Sequence, residues 1–175
     1  IKTENIPSFV RVVVGIDPAV TNTDDSDSTG IITAGLSASG HYYILSDDTM
    51  KASPQEWAMK AVQAYEAFKA DRIVVLHLFQ QVKPTVFVKK VTATRGKLVR
   101  AEPIAALYEQ GRVHHVGYFA DLEEQMCEYE PGVSDSPDRM DALVWALTEL
   151  SEGSNTINFF NALAKFCPNC HLPAA

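Results

Sequence analysis

The chain has 175 residues, of which 46% are hydrophobic and 21% charged, a composition typical of one ordinary globular domain. Its apolar runs are far shorter than the roughly 18 residues that indicate a membrane span, so we expect no membrane contact. The net charge of −7 argues against a broad basic surface that coats nucleic acid, yet permits contact with DNA through a local patch and bound cations. No secretion signal is visible, and three cysteines do not make a disulfide framework, so a reducing cytosol is expected.

The first part of the chain predicts three strands. Residues 10–16 form a β-branched run that both faces of a central strand would bury, and the run stops at Asp17-Pro18. Residues 21–28 are polar and predict a loop. Residues 29–39 and 41–45 predict the next two strands, which together with the first make an antiparallel meander.

Helices and strands alternate in the remainder. A helix is predicted from Ser53-Pro54 to Lys69, with Glu56 at the acidic position of a capping box. Further strands are predicted at 72–78, 86–93 and 113–116, and further helices at 97–110 and 119–129. This order predicts an α/β domain with a mixed sheet flanked by helices, the ribonuclease H-like arrangement.

The last strong helix begins at Ser136-Pro137 and ends the predicted domain, which covers residues 1–153. Its core stripe is Met140, Leu143, Val144, Leu147 and Leu150. Residues 154–175 are predicted to be a separate tail with a short helix at 157–166. Cys167 and Cys170 in that tail have half the ligands of a zinc site, and their role stays open.

Three aspartates are candidate site residues. Asp17 directly follows the first strand, where Pro18 prevents the ladder from continuing, so its carboxylate should project into the crevice beyond the strand end. Asp141 lies about one turn inside the last helix, and Asp138 shares its face. Carboxylates that converge from distant segments repel one another unless a divalent cation lies between them. Oxygen ligands suit Mg²⁺ or Mn²⁺, and a pair of such ions can activate water for phosphodiester cleavage.

Each acid also has a structural interpretation. Asp17 alone could form a turn before proline, and Asp138 alone could complement the dipole at the N-terminus of a helix. Asp141 is harder to explain in this way, because its apolar neighbours indicate a half-buried position where an unpaired acid is costly.

The densest basic cluster consists of Arg95, Lys97 and Arg100. A few local cations are enough to register a duplex through its phosphates, so these residues are predicted to contact DNA. Lys89 and Lys90 would extend the cluster. The alternative is an ordinary solvated loop.

Several short motifs follow one another in a characteristic order. They are Gly15-Ile16-Asp17-Pro18-Ala19, Thr29-Gly30-Ile31-Ile32, Ala93-Thr94-Arg95-Gly96-Lys97, Arg100-Ala101-Glu102-Pro103, Tyr108-Glu109-Gln110-Gly111-Arg112 and Pro137-Asp138-Arg139-Met140-Asp141-Ala142-Leu143. In this order they resemble the C-terminal nuclease domain of large terminase subunits, the DNA-packaging motor proteins of tailed bacteriophages. The resemblance covers about residues 10–150.

The resemblance implies a ribonuclease H-like endonuclease that uses two divalent metals, Mg²⁺ or Mn²⁺, to cut concatemeric double-stranded DNA before and after packaging. It makes Asp17 the first-strand acid and Asp141 the last-helix acid, and it places Asp138 where relatives carry a supporting His or acid. It also implies a terminase ATPase domain, a small terminase subunit and the portal protein as partners, at the prohead in the host cytoplasm.

One departure from the family concerns its second metal-binding acid, which follows the strand that here begins at Arg72. This chain has no carboxylate from Arg72 through Lys90. Either a segment is missing from this sequence, or the site lacks the acid. We favour the first explanation, because a bare link between two strands is unusual here. His77 could substitute as a ligand, although a lone histidine is more often structural.

Two other functions stay open. The first is a catalytically weak module that docks DNA or the portal, for which the missing acid is the main support. The second is another ribonuclease H-like nuclease, such as a Holliday-junction resolvase. That function would require a preference for branched DNA and a stable dimer, and the sequence signals neither.

Overall fold

The computed structural model describes residues 6–18, 28–76, 86–92, 96–130 and 137–166, without the side chains of 76 and 153–166. Arg95, His77, Cys167, Cys170 and most of the predicted polar loop lie outside these ranges. The elements in chain order are β1 Phe9–Asp17, β2 Gly30–Ser37, β3 Tyr42–Asp47, α1 Pro54–Ala67, β4 Arg72–Leu76, β5 Val88–Val91, α2 Lys97–Glu109, β6 Val113–His115, α3 Ala120–Glu128 and α4 Asp138–Phe166.

The described strands form one mixed sheet in the spatial order β5-β4-β1-β2-β3-β6. β1, β2 and β3 pair antiparallel as the predicted meander, whereas β4 pairs parallel with β1 and β5 pairs parallel with β4. β6 adds parallel to β3 at the opposite edge. The predicted α/β domain with a mixed sheet is therefore confirmed.

Helices cover both faces of the sheet. α1 packs Trp57, Ala61 and Ala64 against one face, and α2, α3 and α4 pack against the other. The Ser53 backbone N–H donates to Glu56 Oε2 at 2.9 Å, as the predicted capping box requires. α4 is the main cover of the second face, because four of its five predicted stripe residues are buried, namely Leu143, Val144, Leu147 and Leu150.

A buried ion-pair cluster fixes α4 across three neighbouring strands. Glu149 of α4 is 5% exposed and pairs with Arg11 of β1, Arg72 of β4 and Lys89 of β5, at 3.1, 3.1 and 2.6 Å. A buried carboxylate needs such partners, since an unpaired one is strongly destabilising. We call Glu149 and its three basic partners the Glu149 cluster.

Two sequence predictions need correction. Asp17 is the last residue of β1, paired with Gly30 of β2, and does not follow the strand. α4 continues without a break to Phe166, so the predicted helix at 157–166 is part of α4. Gly153 lies inside α4, because an interior glycine costs only about 1 kcal/mol relative to alanine, which its helical neighbours can offset.

The connection between β4 and β5 bears on the missing acid. The two strands are parallel neighbours and eleven residues, 77–87, lie between them. A parallel crossover takes about a dozen residues or more, so the chain as it stands nearly meets this length. The length of this connection therefore gives no strong reason to infer a missing segment. Residues 77–87 contain no carboxylate.

Within the described ranges, no helix combines the length and the apolar character that crossing a bilayer would require.

Candidate active site

The alternation of side chains along β1 decides where Asp17 points. Val12, Val14 and Ile16 belong to the core on the α1 side, whereas Val13 belongs to the core under α4. Residues two apart in a strand face the same side of the sheet, so Gly15 and Asp17 share the α4 side with Val13. The last residue of the central strand therefore presents its carboxylate toward the first turn of α4.

Two glycines let α4 approach the sheet closely. A Cβ atom at Gly15 would overlap the carbonyl oxygen of Ala142 and come within 2.9 Å of the Ala146 Cβ. A Cβ at Gly30 would overlap the carbonyl group of Asp138. Because neither atom is present, the N-terminal part of α4 rests directly on β1 and β2. This contact brings Asp138 and Asp141 to the strand end that carries Asp17.

The acids are buried and interact. Asp17 is 8% exposed and Asp141 4%. Burial raises the pKa of Asp17 to about 7, and the negative charges of Asp141 and, more weakly, Asp138 add to this rise. The positive charges of Lys97 and Arg100 oppose it. The structure therefore brings Asp17, Asp138 and Asp141 close enough for their charges to interact. Asp141 raises the pKa of Asp17 more than Asp138 does.

Among the described residues, Asp141 depends on an ion pair. Its Oδ2 atom is buried, and apart from that pair no hydrogen bond within the described part of the chain reaches it. The Lys97 ammonium lies 2.5 Å away and forms an ion pair with it. The lysine therefore supplies charge without a well-directed hydrogen bond, and its side chain remains 42% exposed.

The carboxylate oxygens of Asp17 and Asp141 are suitable ligands for a divalent cation of the magnesium type. Such ions take carboxylate oxygens, commonly from one or two protein side chains, and complete their shell with water and phosphate oxygens. A cation between the two acids would favour the ionised form of Asp17, whose pKa is raised, and would add to the charge that Lys97 supplies to Asp141 Oδ2. Among the described residues, no three acidic, histidine or cysteine side chains are grouped closely enough to enclose an ion. Within the described ranges, the carboxylates that interact with Asp17 are those of Asp141 and, more weakly, Asp138.

The structure brings part of the basic cluster to the acids. Lys97 and Arg100 lie on the first turn of α2, and both act electrostatically on Asp17. Arg95 lies outside the described residues. Lys89 belongs to the Glu149 cluster, so it serves to hold α4 as well as to carry charge. Lys90 is exposed on β5.

One residue of the site was missed by sequence reasoning. The guanidinium of Arg100 lies over the Trp145 ring, 4.3 Å from its centroid, which fixes the arginine beside the acids. Trp145 lies one turn after Asp141 on α4, and this spacing is the available signal. The role of Trp145 could not be recognised from this spacing alone, because it depends on α2 crossing α4 at this point.

These features define a ribonuclease H-like α/β domain whose acidic site is formed by the end of its central strand and the start of its last helix. Residues 14–150 match the family described as the terminase RNase H-like domain. The chain therefore belongs to this terminase family, and the resemblance in its motifs is confirmed. The search of curated proteins gives no match.

Solved structures agree with this assignment. The large terminase nuclease from the thermophilic phage G20c is 12% identical with a TM-score of 0.59, covering 79% of this chain and 81% of that one. The same nuclease with bound zinc is 13% identical with a TM-score of 0.54, covering 78% and 81%. The human cytomegalovirus terminase nuclease domain is 14% identical with a TM-score of 0.56, covering 84% and 88%. At these identities the likeness shows a shared fold.

Proposed function

We propose that this chain is a metal-dependent endonuclease that hydrolyses phosphodiester bonds of concatemeric double-stranded viral DNA during genome packaging. The observation that carries the proposal is the buried pair Asp17 and Asp141, in which the pKa of Asp17 is raised to about 7 and Asp141 Oδ2 is paired with the half-exposed Lys97 ammonium. Burying two carboxylates costs free energy, and a purely structural role would not offset that cost. Their placement supports a site built to receive a cation and a phosphate.

Asp17 and Asp141 would hold Mg²⁺ or Mn²⁺, with Asp138 as a supporting acid. When bound, such ions supply Lewis-acid activation of water and neutralise charge at the scissile phosphate. Asp17 and Asp141 hold fixed positions because β1 and α4 are rigid elements joined by close glycine contacts. The N-terminus of α4 adds partial positive charge beside the site.

The basic residues beside the acids would receive DNA. Lys97 is 42% exposed and paired with Asp141, so it can exchange this partner for a phosphate oxygen. Arg100 is held over Trp145 with its charge toward the acids. Arg95, two residues before Lys97 in the sequence, is the third residue of the proposed DNA-binding set. In a protein with a net charge of −7, such a small patch implies salt-sensitive binding.

The docking module remains the second candidate, because no carboxylate stands between Arg72 and Lys90. A site with fewer acids could bind DNA and cut it slowly. The family match favours a terminase over a junction resolvase. A terminase ATPase domain, a small terminase subunit and the portal protein are the proposed partners, and the prohead in the host cytoplasm is the proposed place of action.

The proposal is tested by incubating the protein with supercoiled plasmid in Mn²⁺, Mg²⁺ or EDTA, together with a four-way junction of the same base composition as a linear duplex. We expect nicking and linearisation in Mn²⁺, none in EDTA, and no preference for the junction. Asp141→Asn should remove the activity. Asp121→Asn is the matched control, because Asp121 is 69% exposed on α3 and pairs with Arg139.

Three results separate the candidate functions. Cleavage that requires metal and Asp141 supports the endonuclease. Binding of duplex DNA by the folded protein without cleavage in any metal would leave the docking module. Selective cutting of the junction would favour a resolvase.

A further inference from the structure

A cavity lies beside the acids on the α4 face of the sheet. It has a volume of about 540 Å³ and is bounded by α2, α4, β4 and β5. Binding pockets for small organic molecules measure roughly 300–1,000 Å³, so this space can receive a ligand of that size. The metal site proposed for Asp17 and Asp141 does not account for this cavity.

The cavity begins next to the catalytic acid and follows α4. Asp141, Trp145 and Glu149 are spaced four residues apart, so they lie along one face of the helix. At 1.5 Å per residue, this row is about 12 Å long. Trp145 and Glu149 line the cavity, as does Arg100, whose charge acts on Asp17. Arg100 and Trp145 therefore link the cavity to the proposed active site, one helical turn from Asp141.

Arg100 lacks the hydrogen-bond acceptors that its position demands. Its Nε and Nη1 atoms are buried and have no hydrogen-bond partner within the described ranges, although the guanidinium is held over Trp145. Leaving a buried donor unsatisfied costs about 1–3 kcal/mol, and more when it is charged. An arginine fork in a cavity wall is suited to a carboxylate or phosphate with two acceptor oxygens. The arginine thus indicates an anionic ligand.

The other walls of the cavity indicate what accompanies that anion. Val91, Val99 and Pro103 supply accessible apolar surface, and Thr92 and Thr148 supply hydroxyl groups. Glu149 also lines the cavity, but its charge is paired with the three cations of its cluster. A ligand with one phosphate and an adjoining sugar and base matches this combination. A bare anion would leave the apolar walls unused.

We propose that this cavity is a nucleotide subsite. It receives one nucleoside phosphate unit of a DNA strand next to the scissile position, with the phosphate on Arg100 and the sugar and base against Val91, Val99 and Pro103. The inference rests on the proposed nuclease function and adds the position of a flanking nucleotide. Arg100 is then a positioning residue for the strand.

Trp145 provides a readout that needs neither metal nor cleavage. The chain has two tryptophans, and Trp57 packs on the opposite face of the sheet. In a Trp57→Phe background, the emission of Trp145 is titrated in EDTA with dAMP, deoxyadenosine, inorganic phosphate, a single-stranded oligonucleotide and a duplex. We expect saturable changes with dAMP and both DNAs, at least tenfold weaker binding of deoxyadenosine and phosphate, and tighter binding of DNA than of dAMP.

Arg100→Gln and Arg112→Gln form a matched pair of variants. Arg112 also lies over an aromatic ring, that of Tyr42 at 5.6 Å, but it donates to the Gly40 carbonyl at 2.7 Å. We expect Arg100→Gln to weaken the nucleotide response at least tenfold and to change the melting temperature by no more than about 2 °C, since it removes unsatisfied donors. Arg112→Gln should lower the melting temperature and leave the response intact. Thr92→Phe, which adds bulk to the cavity wall without altering charge or adding a tryptophan, should also abolish the response.

The outcomes separate this inference from the proposed function. No Trp145 response to any nucleotide, or equal binding of phosphate and dAMP, overturns the subsite even if the protein cleaves plasmid. A response that persists in Arg100→Gln and Thr92→Phe also overturns it. Binding lost in both variants supports the subsite, whether or not metal-dependent cleavage is observed. A response to dAMP that exceeds the response to either DNA would indicate a free nucleotide site and overturn the assignment to a strand.

Discussion

The Asp17→Asn variant is expected to lose DNA cleavage by about a thousandfold or more and, without divalent cation, to be more stable than the natural chain at pH 8. The loss follows because a carboxylate ligand is replaced by a neutral amide. Metal-ion catalysis supplies several kcal/mol, and each 1.36 kcal/mol corresponds to a factor of ten in rate. The stability increases because the ionised Asp17 carboxylate is destabilising in its buried site beside Asp141, and a neutral amide is not.

The pH dependence of this gain has a defined sign. The pKa of Asp17 is raised in the folded protein from 3.8 to about 7, so the folded state binds more protons than the unfolded state between these values. The contribution of Asp17 to stability therefore falls as the pH rises through this window and becomes constant above it. The stability difference between variant and natural chain should be small near pH 4 and approach about 4 kcal/mol at most above pH 7.

Thermal unfolding in EDTA at several pH values, combined with plasmid cleavage in Mn²⁺, measures both effects. Asp121→Asn is the control, since it removes one exposed negative charge from α3 and should change neither the pH profile nor the rate. A variant at position 17 that is less stable than the natural chain at pH 8 would contradict a buried, destabilised carboxylate. Retained cleavage would contradict its catalytic role.

The Gly30→Ala variant is expected to lose about 1–3 kcal/mol of stability and most of its cleavage activity. A Cβ at this position would overlap the backbone carbonyl of Asp138, and backbone cannot move aside as a flexible side chain can. The first turn of α4 would have to lift from β2. Asp138 and Asp141 would then move away from Asp17, and even a small displacement of catalytic groups lowers the rate severely.

Gly96→Ala is the matched control for this steric effect. Gly96 precedes α2, and a Cβ there would meet no atom within 4 Å. Both variants add one methyl group, so a difference between them reports the contact with α4. Urea unfolding and the plasmid assay measure the two effects. A Gly30→Ala protein as stable and as active as Gly96→Ala would show that close approach of α4 does not build the site.

Much of this fold could be predicted from local patterns. The β-branched run of β1, the Ser53 to Glu56 capping box and the apolar stripe of α4 depend on neighbouring residues, and they gave elements close to those observed. The continuation of α4 past Gly153 could not be predicted in this way, because a single glycine is a weak stop signal and its effect depends on the residues that follow.

The acids of the candidate site could be proposed from the sequence, whereas the residues that support them could not. Asp17 and Asp141 stand out because a carboxylate at the end of a buried strand and another inside an apolar helix are both unusual. The roles of Gly15, Trp145 and Glu149 depend on contacts between elements far apart in the chain. Such contacts have no local signature. The same holds for the cavity, whose floor and walls come from four separate elements.

The binding of Mn²⁺ to the natural chain, measured by calorimetry at pH 7 and pH 8 in buffers of different ionisation enthalpy, tests the central claim most directly. We expect one saturable process that is lost in Asp17→Asn and in Asp141→Asn and retained in Asp121→Asn. Because the pKa of Asp17 is about 7, binding should release protons at pH 7 and become tighter at pH 8. Equal Mn²⁺ binding by the natural chain and both site variants, or no binding at all, would contradict a metal site formed by Asp17 and Asp141.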